Sequence, residues 1–274
     1  MGTLRIDLNC DAGEHFGRWT LGDDAAMFAS VSSANIATGF HAGDPAGMVD
    51  TCRAAVDAGV AIGAHVGYRD LAGFGRRFIE VAPRDLRAET IYQLGALASI
   101  ARSVGGAVRY VKPHGALYHA VATNRGQAEA LVDGIATSGT GSDAGGAPLI
   151  LLVAPGSLAG ELARERGISV AHEVFADRGY LPTGGLVPRG DPDALVTDPA
   201  IVARRAVRFA VERVVEAVDG SIVEVAGDSL SLHGDTAGAP RLARAIRDAL
   251  VAAGVEIAPF ASPAPRGAAR PGTA

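Results

Sequence analysis

The residues best equipped for chemistry recur where short apolar runs end. In "IDLNCDAGE", Asp7, Asn9 and Asp11 alternate with Ile6, Leu8 and Cys10, and Glu14 follows. Alternate side chains of a strand share a face, so three polar groups line one side. Covering them with the apolar flank of a helix carries a large desolvation cost. They therefore face solvent on an edge or line the mouth of a barrel. In "NIATGFHAGD", Asn35, Ala37, Gly39 and His41 share a parity, with Asp44 just beyond. "AHVGYRD" puts His65 at a strand end, and "YVKPHG" puts Tyr110, Lys112 and His114 on one face. "HEVFADRGY" carries Glu173 and Asp177, and "SLSLHGDT" carries Ser231, His233 and Asp235.

Asp, Glu and His together suit general acid–base catalysis. They are equally ordinary ligands for a divalent metal. No HExxH is present, so a metal site would be assembled from separate strands. Lys112 is the single lysine in a chain whose other basic residues are all arginine. A compact ammonium suits a carboxylate, a phosphate or a developing oxyanion. A Schiff-base lysine is the alternative, and the surrounding carboxylates favour the electrostatic role. Arg76, with Arg77, follows a Gly-rich stretch and either closes over an anionic ligand or is solvated. Arg178 pairs with Asp177 or reaches substrate. His15 and His119 read as peripheral, His172 as packed on a helix, and Tyr68 and Arg69 as rim residues. The catalytic set expected is Asp11, His41, Lys112, His114 and Glu173. Ligand contacts are expected from Asp7, Asn9, Glu14, Asn35, Asp44, His65, Arg76, Asp177, Arg178, His233 and Asp235.

The elements that must position these groups alternate. Strand patterns occur at 3–9, 33–40, 60–65, 107–112, 148–154, 168–174 and 229–234, with a weaker one at 221–227. Between them lie helical patterns at 45–58, 84–104, 199–217 and 240–253. Asp44-Pro45 and Asp198-Pro199 are cap-then-proline starts, and Gly59 and Gly254 are stops. About seven β-α units argue for a parallel α/β fold. In such folds ligands bind where the βα loops converge, at the carboxyl ends of the strands. Six of the seven strands carry ionisable or amide groups there. No GxGxxG follows the first strand and no GxxxxGK[ST] occurs, so neither a dinucleotide fingerprint nor a P-loop is present.

The 274 residues are 48% hydrophobic and 20% charged, enough for a substantial core, with a net charge of −5. Scattered arginines point away from nucleic acid. No run of about 18 apolar residues suggests a membrane span, and the amino terminus lacks a signal-peptide pattern. Two cysteines without CxxC, Cys10 and Cys52, read as buried small side chains in a reducing, cytoplasmic setting. One α/β domain is expected over 1–258. A flexible Pro/Ala/Gly/Arg tail is expected over 259–274, and a flexible loop over 137–148.

Seven blocks, "IDLNCDAGE", "SSANIATGFHAGDP", "AIGAHVGYRDLAGFGRR", "VKPHGALY", "EVFADRGY", "LVPR" and "LHGD", stand in order between about 5 and 257. They resemble the LamB/YcsF family of 5-oxoprolinase A subunits. The resemblance implies an irregular seven-stranded parallel (β/α) barrel like those of glycoside hydrolases and polysaccharide deacetylases. It implies ATP-dependent opening of 5-oxo-L-proline to L-glutamate, with ATP as co-substrate accompanied by Mg, and with partner subunits B and C. Thr38 stands where the family commonly has cysteine, Val66 and Arg69 where it has prolines, and His15 where it has glycine. A thiol at position 38 is therefore not essential here. Two rivals stay open at this level. One is a metal-dependent deacetylase or amidohydrolase acting without ATP; the other is a non-catalytic substrate-binding subunit.

Overall fold

The computed structural model describes residues 4–140, 148–188, 190–232 and 238–261. The strands are β1 (Arg5–Ala12), β2 (Ser33–Ala37), β3 (Ala61–Val66), β4 (Val108–Pro113), β5 (Ile150–Val153), β6 (Ser169–Phe175), β7 (Val214–Glu216), β8 (Ile222–Glu224), β9 (Ser229–Leu232) and β10 (Glu256–Ile257). The helices are α1 (Asp24–Phe28), α2 (Pro45–Ala58), α3 (Pro83–Ser103), α4 (Gly115–Thr123), α5 (Arg125–Thr137), α6 (Leu158–Glu165), α7 (Pro199–Glu212) and α8 (Ala239–Ala252). Strands β1 to β6 and β9 pair in parallel, and β9 returns to β1, so seven strands close a barrel. β10 adds to the amino end of β1. The parallel α/β fold expected from the alternation, and the seven-stranded barrel that the family resemblance implies, are thus the architecture found. Among the described residues no helix is long and apolar enough to cross a membrane.

Strand parity divides the barrel as the sequence requires. Ile6, Leu8, Cys10 and Ala12 of β1 join the apolar layer between barrel and helices. Asp7, Asn9 and Asp11 turn inward, in register with Ser229, Ser231 and Asn35 respectively. The floor is a small apolar plug of Tyr110, Leu152, Ala171 and Ala261, with Phe260 against Tyr110 at 4.9 Å between ring centres. Residues 259–261, expected in the tail, therefore cap the barrel, because an aromatic side chain is needed to close its floor. Residues 262–274, and 141–147 of the expected Gly/Ser loop, lie outside the described residues.

The helix starts follow their caps. Asp44 accepts the Ala46 and Gly47 amides ahead of Pro45, and Asp198 accepts those of Ala200 and Ile201 ahead of Pro199. The expected helix to 217 ends instead at Glu212. Arg213 takes a left-handed conformation (φ 59°), which breaks the helix and starts an antiparallel ribbon of β7 with β8. The weak strand pattern at 221–227 belongs to this ribbon and not to the barrel.

Gly63 shows how tightly the interior is filled. It pairs with Tyr110 across β3 and β4, and a Cβ at position 63 would overlap the Tyr110 ring. Overpacking of this kind costs about 1–3 kcal/mol. Gly63→Ala is expected to lower the denaturant midpoint accordingly with an unchanged slope. An unaltered midpoint would mean that Tyr110 does not fill this position.

Candidate active site

Lys112, inward on β4, meets carboxylates from both sides of the barrel. Its Nζ lies 3.0 Å from Asp11 Oδ1 on β1 and 2.8 Å from Glu173 Oε1 on β6. It also donates to Ser231 Oγ at 3.1 Å and approaches Asn9 Oδ1 at 3.5 Å. An ammonium has three donors, and three short contacts occupy them. Burial disfavours the charged amine, yet the Asp11 and Glu173 carboxylates outweigh it and hold the amine above its ordinary value. The group is therefore a fixed cation and no nucleophile. The Tyr118 hydroxyl on α4 sits alongside Glu173.

Amides and hydroxyls extend this network downward. Asn35 Nδ2 donates to Asn9 Oδ1 at 2.7 Å and to Asp11 Oδ1 at 2.8 Å, and Asn35 Oδ1 accepts the Tyr110 hydroxyl at 2.7 Å. Asn9 Nδ2 donates to Ser229 Oγ at 2.6 Å. Asp7, at the deepest level, accepts hydroxyls from Ser32, Ser33 and Ser229. Burial pushes its carboxyl up to about 6 despite those three donors.

Beside Asp11 stands an imidazole group. His65 Nδ1 lies 3.1 Å from the Lys112 carbonyl, and its Nε2 lies 3.3 Å from Asp11 Oδ1. His114 Nε2 lies 2.8 Å from the Phe74 carbonyl, and its Nδ1 lies 2.9 Å from His65 Nε2. His41 stacks on His114 at 3.7 Å and 5° between planes, with Nε2 3.3 Å from Glu14 Oε1. Burial first, and the neighbouring imidazoles next, hold His41 and His114 well below the usual imidazole range, so both are neutral at pH 7. The loop after β3 packs over these rings through Gly75 (φ 63°), where a Cβ would strike His41 and His114. Thr38 serves the same loop. Its hydroxyl lies 2.7 Å from Gln93 Oε1 and 3.1 Å from the His65 carbonyl, while Gln93 also binds both backbone groups of Gly67.

Above the cluster opens a cavity of about 770 Å³ lined by Asp11, His65, Arg76, Lys112, His114, Glu173 and Phe175, with a wall from α4 and from 186–188. A volume of this size suits a small-molecule ligand. Arg76 lies at the mouth, its guanidinium over the Phe74 ring at 5.0 Å. Arg77 is tied to Asp70.

The fold thus brings together Asp7, Asn9, Asp11, Glu14, Asn35, His41, His65, Lys112, His114 and Glu173, with Arg76 above. Two expected members, Asp44 and Asp177, stand elsewhere, and a third, Arg178, lines the cavity wall. Asp44 caps α2 and also accepts the Gly17 amide at 3.0 Å, so its oxygens serve backbone donors outside the barrel. Asp177 is buried beside a separate cavity with Val196 and Pro199. Arg178 reaches the cavity wall, but its Nε and Nη2 donate to the Ala194 and Val187 carbonyls at 2.9 and 2.6 Å, which pins that wall. His233 and Asp235 lie outside the described residues. Tyr68, expected at the rim, is fully buried with its hydroxyl on Gln127. His119, expected to be peripheral, lines the cavity. His172 meets Arg164 of α6 at 2.7 Å, on the outer face. Sequence reasoning missed Tyr118, four residues after His114 and so on the same helix side. It also missed Ser32-Ser33, a hydroxyl pair opening β2.

Comparisons with known proteins find relatives over most of the chain. The model of the LamB/YcsF family matches residues 6–264. The A subunit of 5-oxoprolinase from Kocuria rhizophila is 51% identical over 256 residues, which cover 93% of this chain and 99% of that protein. The protein of the same name from Streptomyces griseus is 54% identical over 256 residues, 93% of this chain and 100% of that one. Among solved structures, the lactam utilization protein from Thermus thermophilus superposes with a TM-score of 0.86 at 43% identity, covering 93% of this chain and 100% of that one.

Asp7 supplies a pH test of the buried network. Its folded-state value lies above the ordinary value of 3.8, at about 6. The folded state therefore binds the extra proton between these values, and stability falls as pH rises through them. At 1.36 kcal/mol per unit the loss is about 3 kcal/mol. Asp7→Asn removes this titration, so the stability of the variant relative to the parent is expected to rise by about that amount between roughly pH 4 and 7. Parallel pH–stability curves would show that Asp7 titrates normally.

Proposed function

The chain belongs to the LamB/YcsF family, and on that premise we propose that it is the A subunit of an ATP-dependent 5-oxoprolinase, opening the lactam of 5-oxo-L-proline to L-glutamate together with subunits B and C. The observation that carries this reading is Asp11, held between the Lys112 ammonium at 3.0 Å and His65 Nε2 at 3.3 Å beside a ligand-sized cavity.

A lactam amide is a poor electrophile. Transfer of the γ-phosphoryl group of ATP to its oxygen activates the ring carbon. Water then adds, the C–N bond breaks as the nitrogen takes a proton, and a second water releases phosphate from the acyl phosphate. A base is needed for each water. Asp11 is the most open of the barrel carboxylates, with 11% of its side chain exposed against 5% for Glu14 and 0% for Glu173. It therefore takes the proton. Lys112 is already saturated, so it acts through Asp11 and Glu173 as a positioning residue and does not grip a substrate anion itself. Arg76, at the mouth, is the cation for the substrate carboxylate or phosphoryl oxygens. With no P-loop, ATP and its Mg ion are held by the mouth loops and completed by the partner subunits. A ring-opening hydrolase also fits the neutral imidazoles, which add no competing positive charge beside the base.

The test is reconstitution. The purified chain mixed with subunits B and C is expected to release glutamate and phosphate from 5-oxoproline plus ATP. Asp11→Ala and Lys112→Ala are expected to abolish glutamate formation while circular dichroism remains that of a folded protein. Lys112→Ala should also melt earlier, since stranding a buried charge costs about 3–5 kcal/mol. A parent complex that releases neither product would end the proposal. Variants that bind more weakly but turn over normally at saturation would leave this chain a binding component.

A further inference from the structure

His65, His114 and Glu14 converge without a proton to share. Backbone carbonyls only accept hydrogen bonds, so the contacts to the Lys112 and Phe74 carbonyls place an N–H of His65 on Nδ1 and one of His114 on Nε2, which with one N–H per ring leaves the other nitrogen of each without a proton. Both inward nitrogens are then bare lone pairs, and they face each other at 2.9 Å. Glu14 Oε1, an acceptor too, lies 3.4 Å from His114 Nδ1 and 3.9 Å from His65 Nε2. Three acceptors around one buried point are mutually repulsive unless a cation occupies that point.

We propose that His65 Nε2, His114 Nδ1 and Glu14 Oε1 bind one divalent first-row transition-metal ion, with a further coordination position directed at Asp11 and the cavity. A triangle with these three separations has a circumradius of about 2.0 Å, which equals the bond length of such an ion to imidazole nitrogen and carboxylate oxygen. Ligating histidines characteristically donate their other N–H to a carbonyl or carboxylate, as His65 and His114 both do. Two imidazoles and one carboxylate without sulfur select zinc, manganese, iron or cobalt over copper(I), and leave room for a water.

His41 belongs to the same group of four buried residues but is not a ligand. Its Nδ1 is buried without a hydrogen-bond partner, so the proton sits on Nε2, where it donates to Glu14. Its ring also lies flat on His114, so its in-plane lone pair does not point to the shared centre. His41 is a positioning residue that orients the Glu14 carboxylate. Asp11 Oδ1, 3.3 Å from His65 Nε2, stands next to the open position, where it meets a water held by the ion. That use of the ion in ring opening rests on the 5-oxoprolinase reading; the binding does not.

The experiment is equilibrium dialysis of the chelator-stripped full chain against zinc or manganese, with metal analysis of the protein. One equivalent of at least one ion is expected. His65→Ala, His114→Ala and Glu14→Gln are expected to weaken binding by more than about 100-fold and His41→Ala by about 10–100-fold, while His172→Ala leaves it unchanged. Thermal melts of the metal-free proteins verify folding, and Glu14→Gln keeps the side-chain shape. Substoichiometric binding of both ions by the parent, or stoichiometric binding that survives these substitutions, overturns the site. Adding subunits B and C separates the two readings. One bound equivalent with no glutamate released leaves the site standing and removes the 5-oxoprolinase reading. Turnover by a chain that binds neither ion does the reverse.

Discussion

The Lys112 ammonium, pressed between Asp11 and Glu173 and saturated by Ser231, is the contact on which the barrel interior depends. Closing seven strands around polar side chains would be prohibitive if those side chains were bare carboxylates, because each buried charge costs several kcal/mol unless paired. One cation placed between two of them offsets much of that cost. Amides and hydroxyls then link the polar groups beneath, from Asn35 and Asn9 down to Ser229. Asp7, beyond the reach of the ammonium, shows the cost as a raised carboxyl pKa.

The same contact divides the site into two electrostatic halves. On one side the ammonium lies against the Asp11 carboxyl group at the cavity floor. On the other, burial keeps His41 and His114 neutral; His41 donates to Glu14, while the inward nitrogens of His65 and His114 face each other. Those imidazoles are held by carbonyls of two different segments, β4 and the loop after β3. Gly75 lets the loop pass close enough over the rings for the Phe74 carbonyl to reach His114.

Much of this was legible in the sequence because a strand has a period of two. The parity of Asp7, Asn9 and Asp11 against Ile6, Leu8 and Cys10 separates the polar face of β1 from its apolar one, and the same rule joins Lys112 to His114, while His65 and Glu173 follow from their places at strand ends. Where parity ends, legibility ends. Asp44 and Asp177 follow strand ends in the chain, but loop geometry turns the first onto helix amides and the second toward a different cavity. Tyr68 looked like a rim residue because a loop carries it, yet it is buried against Gln127, 59 residues away. The break at Arg213 rests on a positive φ in a non-glycine residue, for which local propensity gives no warning. Carbonyl partners such as Phe74 leave no mark on side-chain patterns at all.

The lone lysine is therefore explained by fit. Contacts of 2.8–3.1 Å on three sides leave room for a compact ammonium and none for a longer, planar guanidinium. The most direct measurement is the pH–rate profile of a Lys112→Arg complex releasing glutamate from 5-oxoproline. Arginine keeps the charge and displaces Asp11, so turnover is predicted to fall by about 100-fold or more, with a shifted acidic limb and a folded protein. Turnover and profile equal to those of the parent would contradict the account, because any cation at that position would then suffice.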